Sequence, residues 1–172
     1  MYSLQSHDDA LKTKYRYFGL SLLLIILISC SKTITTAPDL TFTSITGQKS
    51  ALKEWRGKPV IVTFWATDCA ACIQEIPDLI DLYRRYHESG LEMVAVAMAY
   101  DPPSHVVEMT RLKQLPYPVA LDLTSEIDRA FGGVMFTPST FLIGPDGKVI
   151  SKNIGLFNVT KMQTQIESLL KG

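Results

Sequence analysis

An apolar, β-branched run, Val60-Ile61-Val62-Thr63-Phe64-Trp65, breaks at Ala66-Thr67-Asp68 and leads at once to two cysteines, Cys69 and Cys72, one helical turn apart. Such a density of β-branched and aromatic residues suits a buried strand. Beyond the cysteines the period changes: Ile76, Leu79, Ile80, Tyr83 and Tyr86 recur at the three and four spacing of an amphipathic helix, which should stop near Gly90. A strand feeding a helix in this way places the chain in the α/β class, with both sulfurs at a helix N-terminus. Backbone N–H groups there have no partner within the helix and the macrodipole is positive, so a thiol at that point is biased toward thiolate.

The alternation continues downstream. Leu40 to Thr43 reads as a weak first strand and Leu91 to Ala99 as a second buried one; Asp101-Pro102-Pro103 breaks the chain before a helix over Ser104 to Gln114. Pro118 to Leu121 is a short strand and Ser125 to Phe131 a short helix. Ser139 to Ile143 and Lys148 to Ile154 flank the turn Gly144-Pro145-Asp146-Gly147 and should pair as a hairpin before a closing helix over Val159 to Leu170. The expected body is one domain with a central sheet flanked by helices.

Of the three cysteines, only Cys30 lies outside the pair. Lys12, Lys14 and Arg16 precede the apolar run Phe18 to Ile28, the pattern of a basic n-region and an h-region. A membrane-spanning helix needs about 20 apolar residues, so this shorter run reads as a signal sequence. Leu27-Ile28-Ser29-Cys30 resembles the bacterial lipobox, whose cysteine is acylated and becomes the mature N-terminus. The expected organisation is a lipoprotein signal peptide over residues 1–29, a lipidated Cys30 with a Thr- and Ser-rich tether over 30–38, and the folded domain over 39–172. It places the protein in a bacterial cell envelope, lipid-anchored and periplasm-facing. Retention of the apolar run as an uncleaved inner-membrane anchor is the alternative, and the length of chain before Lys12 is also what a downstream start codon would produce.

An exported domain with a single cysteine pair suggests traffic in disulfides, not a stapled scaffold. Cys69, at the helix terminus, is the expected attacking thiol; Cys72, one turn further in, is shielded and is the expected resolving thiol. Zinc would need four ligands, and there is no second cysteine pair; His87 and His105 stand at spacings that match no finger, so no metal is expected and neither histidine is assigned a role. Glu75, one turn beyond Cys72 and on the flank of the apolar stripe, is the candidate acid-base group: partial burial raises a carboxyl pKa and suits it to exchange a proton with Cys72. A solvated helix glutamate is the plainer reading. Trp65 is expected to pack near the site and modulate it. With 17 basic and 17 acidic residues the chain offers no electrostatic case for nucleic acid.

Four elements together resemble the thioredoxin superfamily and, within it, the membrane-tethered TlpA/ResA-type thiol-disulfide oxidoreductases. They are Gly57-Lys58-Pro59 before an apolar strand, Phe64-Trp65-Ala66-Thr67 leading to the cysteines, Glu75 with Pro77, and Thr137-Pro138-Ser139-Thr140-Phe141-Leu142-Ile143 with Asp146-Gly147. The resemblance implies a thioredoxin-like fold with a mixed sheet and an extra helix and strand between Tyr100 and Leu121. It also implies a cis peptide before Pro138, where the sequence alone favours trans, and a substrate-binding role for Thr137 and Pro138. Classical thioredoxins have a buried Asp where this chain has Thr63, and Glu75 matches the active-site glutamate of the TlpA/ResA type.

The function so implied is an exported reductase of protein disulfides that works as a monomer through the Cys69/Cys72 dithiol with no other cofactor. A DsbD or CcdA-type transmembrane donor would reset it. Apocytochrome c is one substrate the resemblance suggests, although the cytochrome-maturation branch carries an acidic residue soon after the cis-proline where this chain has Ser139-Thr140. An oxidase or isomerase differs only in potential and partner. A copper metallochaperone on the same fold would use two cysteines and a histidine, but the cysteines here are one residue closer than in that pattern and no histidine lies near Pro138. A catalytically silent interaction module leaves the cysteine spacing unexplained.

Asp68 stands where the family carries a bulky aromatic; it either acts on Cys69 or serves as the helix N-cap. A like charge at about 4 Å in water costs on the order of 1 kcal/mol, and the helix terminus contributes about 0.3 to 1 kcal/mol in the opposite sense. The two nearly cancel, which favours a reducing or intermediate couple. Asp68→Ala is expected to lower the Cys69 thiol pKa by up to about 0.7 in a thiolate absorbance titration; an unmoved curve removes Asp68 from the mechanism.

Overall fold

The computed structural model describes residues 34–171. The signal-peptide and Cys30 readings lie outside the described residues. Parallel pairing joins β3 (Val60–Trp65) to β4 (Glu92–Ala97) and β4 to β5 (Val119–Leu121). On the other side β6 (Ser139–Ile143) runs antiparallel to β3, and β7 (Val149–Ile154) antiparallel to β6. The order is β5-β4-β3-β6-β7.

Every residue of β3 is buried, because both faces of the sheet are covered. On one face Ile61 and Leu142 pack with Ile76, Leu79 and Leu82 of α1 (Ala70–Tyr86), Val106 of α2 (Pro103–Lys113) and Ile166 of α4 (Val159–Lys171). On the other, Val60, Val62 and Phe64 meet Phe42 of β1 (Thr41–Thr43) and Phe131, which ends α3 (Glu126–Ala130). Successive strand side chains point to opposite faces, so Thr63 and Trp65 lie with Ile61 beneath α1. Phe64, Phe131 and Phe141 form an edge-to-face cluster with centroids 5.0 to 5.9 Å apart.

The extra helix and strand between Tyr100 and Leu121 are α2 and β5, and the Gly144–Gly147 turn joins β6 to β7 as its composition predicts. Gly147 adopts φ +81, a conformation that favours glycine. Two elements differ from expectation. β2 (Lys49–Ala51) pairs with β1 and leads into a 3₁₀ turn at Leu52–Trp55; Lys49 and Ser50 carry no apolar signal. The body also takes in part of the stretch assigned to the tether. Thr36 bridges Lys148, the Ala37 N–H donates to Gly147 O at 2.9 Å, and Ala37 is buried, so the folded body includes residues ahead of residue 39. Among the described residues no helix is long and apolar enough to cross a membrane.

Phe131 is shared by two of the three aromatic pairs, so Phe131→Ala leaves a cavity against β3 and β6. A loss of about 3 to 5 kcal/mol in urea unfolding is expected, and a change below about 1 kcal/mol would show that this face relaxes around the deletion.

Candidate active site

The cysteines are delivered by a loop tied to the neighbouring strand end. Asp101, buried just beyond β4, accepts the Thr67 N–H and the Thr67 hydroxyl, each at 2.6 Å. These two charge-assisted bonds hold the chain between β3 and α1. The Asp101-Pro102-Pro103 break is thus also an anchor of the site, which the sequence reading missed; the available signal was a carboxylate four residues past the end of a buried strand.

Cys69 is the N-cap of α1, with extended φ −89 and ψ 104, and its Sγ accepts the Cys72 N–H at 3.1 Å. The cap position belongs to the sulfur, so the N-cap reading of Asp68 does not hold; Asp68 is exposed at the preceding position. Cys69 and Cys72 are joined as a disulfide with Cα atoms 5.2 Å apart. Cys72 is buried and Cys69 partly exposed, so a partner reaches one sulfur of the two.

Glu75 is 2% exposed, deeper than the partial burial expected from its flank position. The cover comes from elements remote in sequence. Glu75 Oε1 accepts the Phe157 N–H at 3.2 Å and Oε2 the Thr140 hydroxyl at 3.3 Å, while Thr140 Oγ1 lies 2.9 Å from Thr63 Oγ1. Burial pushes the Glu75 pKa up to about 7 against the pull of the Phe157 and Thr140 hydrogen bonds, with a smaller upward push from Asp78. Thr63, where the resemblance noted an absent Asp, therefore supports Glu75 through a chain of two hydroxyls.

The Thr137–Pro138 peptide is cis. Pro138 is buried and lines a small cavity together with Cys72, Glu75, Trp65 and Tyr117, while Met135 and Phe136 just ahead of it are largely exposed. Tyr117, Thr140 and Phe157 were not anticipated as site residues. Burial and the nearby Glu75 carboxylate raise the Tyr117 pKa. His87 caps the far end of α1, stacked on Tyr83, and His105 lines a cleft beside Thr67. Among the described residues no three His, Cys, Asp or Glu side chains gather as a metal site.

A mixed five-stranded sheet flanked by helices, with a two-cysteine disulfide capping the helix after its central strand, defines a thioredoxin-like thiol-disulfide oxidoreductase. A sequence model of the AhpC/TSA family matches residues 34–152, and the chain belongs to that family. Thiol-disulfide oxidoreductase ResA of Bacillus thuringiensis subsp. konkukian (strain 97-27) is 36% identical over 135 residues, 78% of this chain and 75% of that protein. ResA of Bacillus subtilis (strain 168) is 32% identical over 114 residues, 66% of this chain and 63% of that protein. In three dimensions, a thiol:disulfide interchange protein of the thioredoxin family from Chlorobium tepidum TLS superposes with a TM-score of 0.72 at 27% identity, covering 80% of this chain and 97% of that one.

The folded Glu75 carboxyl keeps its proton up to about 7, whereas the unfolded one releases it near 4.5. The native state therefore binds more protons between these values, and its stability falls as pH rises through them. Glu75→Gln in the oxidised protein should remove this loss. Its stability relative to wild type is expected to grow by roughly 3 kcal/mol from pH 4.5 to 7 in urea unfolding; a constant difference would mean that Glu75 titrates normally in the fold.

Proposed function

We propose that the protein is an exported, membrane-tethered reductase of protein disulfides. The observation that carries this reading is the pairing of a reachable sulfur, Cys69, with a buried one, Cys72, backed by a carboxyl that titrates near neutrality. The Cys69 thiolate attacks one sulfur of a substrate disulfide, and the other substrate sulfur leaves and takes up a proton. Cys72 gives its proton to Glu75 and attacks Cys69 Sγ, which frees the second substrate thiol. The substrate disulfide is then reduced, Cys69 and Cys72 are oxidised, and a transmembrane dithiol donor of the DsbD or CcdA type returns two electrons and two protons.

Partner binding is assigned to the cis-proline loop. Thr137 offers backbone for an extended chain to pair with, and the exposed Met135 and Phe136 suit apolar polypeptide segments. The reducing direction is supported by Ala70-Ala71 between the cysteines and Asp68 before them, none of which stabilises a thiolate as a cation does. The same chemistry run backwards is an oxidase or isomerase. A copper-binding reading is weakened because His87 stands at the opposite end of α1 from the sulfurs. Lipid attachment at Cys30, a periplasm-facing location and a monomeric state complete the proposal, with apocytochrome c among the substrates it allows.

The test pairs a potential with a trap. Against glutathione the Cys69/Cys72 couple is expected below about −200 mV, and a value near −120 mV, the region of strong protein oxidants, would reverse the direction. In cells, Cys72→Ser is expected to accumulate mixed disulfides through Cys69 with envelope proteins; adducts confined to cytoplasmic proteins would contradict export.

A further inference from the structure

Thr67, two residues ahead of Cys69, forms one wall of an open cleft of about 300 Å³, and α2 forms the other. That volume lies at the lower end of the range for small-ligand sites, about 300 to 1,000 Å³. From α2 come His105, Glu108, Met109 and Leu112. They stand at i, i+3, i+4 and i+7, so they share one face of the helix, while Val106 is fully buried in the core. Met109 is partly buried and Leu112 is 59% exposed, which leaves apolar surface open along this face. Two residues separate Thr67 from the reachable sulfur, at most about 7 Å of extended chain. Asp101 fixes that relation, because it grips the Thr67 N–H and hydroxyl and stands two residues before α2 begins. A polypeptide bonded to Cys69 through its own cysteine therefore brings the neighbouring side chains within reach of the cleft. The full charges there are negative. Glu108 lines the cleft and Asp68 follows Thr67; both are exposed, and neither pairs with a cation among the described residues. Among the described residues no lysine or arginine lines it, and Arg111 and Lys113 stand about 90° or more around α2 from the centre of the cleft face, at about 100° per residue.

We propose that this cleft is a specificity subsite, which receives a polypeptide segment carrying an apolar side chain and a lysine or arginine beside the cysteine that Cys69 attacks. The inference rests on the reading of the protein as a reductase of protein disulfides, and it names which polypeptides that reductase favours. The apolar side chain covers Met109 and Leu112, and the cation meets the carboxylates of Glu108 and Asp68 at the rim. Backbone pairing at Thr137 is indifferent to sequence, since main-chain hydrogen bonds give affinity and side-chain pockets give specificity. Selection among substrates therefore falls to the α2 cleft.

The probes are symmetric disulfides of three short peptides, in which cysteine is flanked on both sides by leucine and then lysine, by leucine and then glutamate, or by serine and then lysine. Rates of reduction by the reduced full chain are taken relative to hydroxyethyl disulfide, which has no side chain to place in the cleft. The leucine-lysine peptide is expected to react about twofold to fivefold faster than the leucine-glutamate peptide, the scale of one exposed ion pair. Against the serine-lysine peptide the advantage is expected to be about tenfold, the low end for burying one leucine. Glu108→Lys should remove or reverse the first preference, and Leu112→Ser should bring the second close to one. Glu88→Lys makes the same change in net charge just beyond the far end of α1 and should leave the first preference in place. A lysine preference that survives Glu108→Lys, or that Glu88→Lys abolishes equally, belongs to the field of the whole molecule and overturns the cleft. Equal rates for the three peptides in wild type also overturn it and leave the reductase reading intact. Failure to reduce any of these disulfides, the small one included, overturns both.

Discussion

A carboxyl group buried beneath a helix is tolerated only if it is hydrogen-bonded or neutral, and the site depends on how Glu75 meets that condition. Two donors from different parts of the chain, the Phe157 N–H and the Thr140 hydroxyl, reach its two oxygens, while burial still holds its proton up to about 7. The segment after β7, the strand β6 and helix α1 must therefore close together before this group acquires its character. The same closure places Cys72 out of solvent and leaves Cys69 at the rim.

Chemical asymmetry between the two sulfurs follows from position alone. Cys69 takes the N-cap place, where its sulfur accepts a backbone N–H from the helix it starts, and it is the partly exposed sulfur of the two. Cys72 is buried one turn further in and lines the same small cavity as Glu75. The Asp101 clamp on Thr67 fixes where β3 hands over to α1, and with it the place of both sulfurs.

Legibility in the sequence followed the range of the signal. β3, α1 and the β6–β7 hairpin were readable because apolar period and the Gly144-Pro145-Asp146-Gly147 turn act locally. Glu75 was readable as a candidate from its spacing to Cys72, but not the depth of its burial, because Phe157 and Thr140 reach it only through the fold. Tyr117 was invisible for the same reason. Asp101 was read as a break because the two prolines after it dominate local punctuation, and β2 was missed because Lys49 and Ser50 have no apolar face to declare. The cis peptide at Pro138 came from resemblance, since local energetics favour trans.

The central claim is that the carboxyl behind the buried sulfur is tuned to exchange protons near neutrality. Carbon-13 labelling of glutamate side chains, with Glu75→Gln to assign the signal, reports its titration directly in the oxidised protein. The Glu75 carboxyl carbon is expected to titrate at about 7. A midpoint near the ordinary glutamate value of about 4.3 would contradict it.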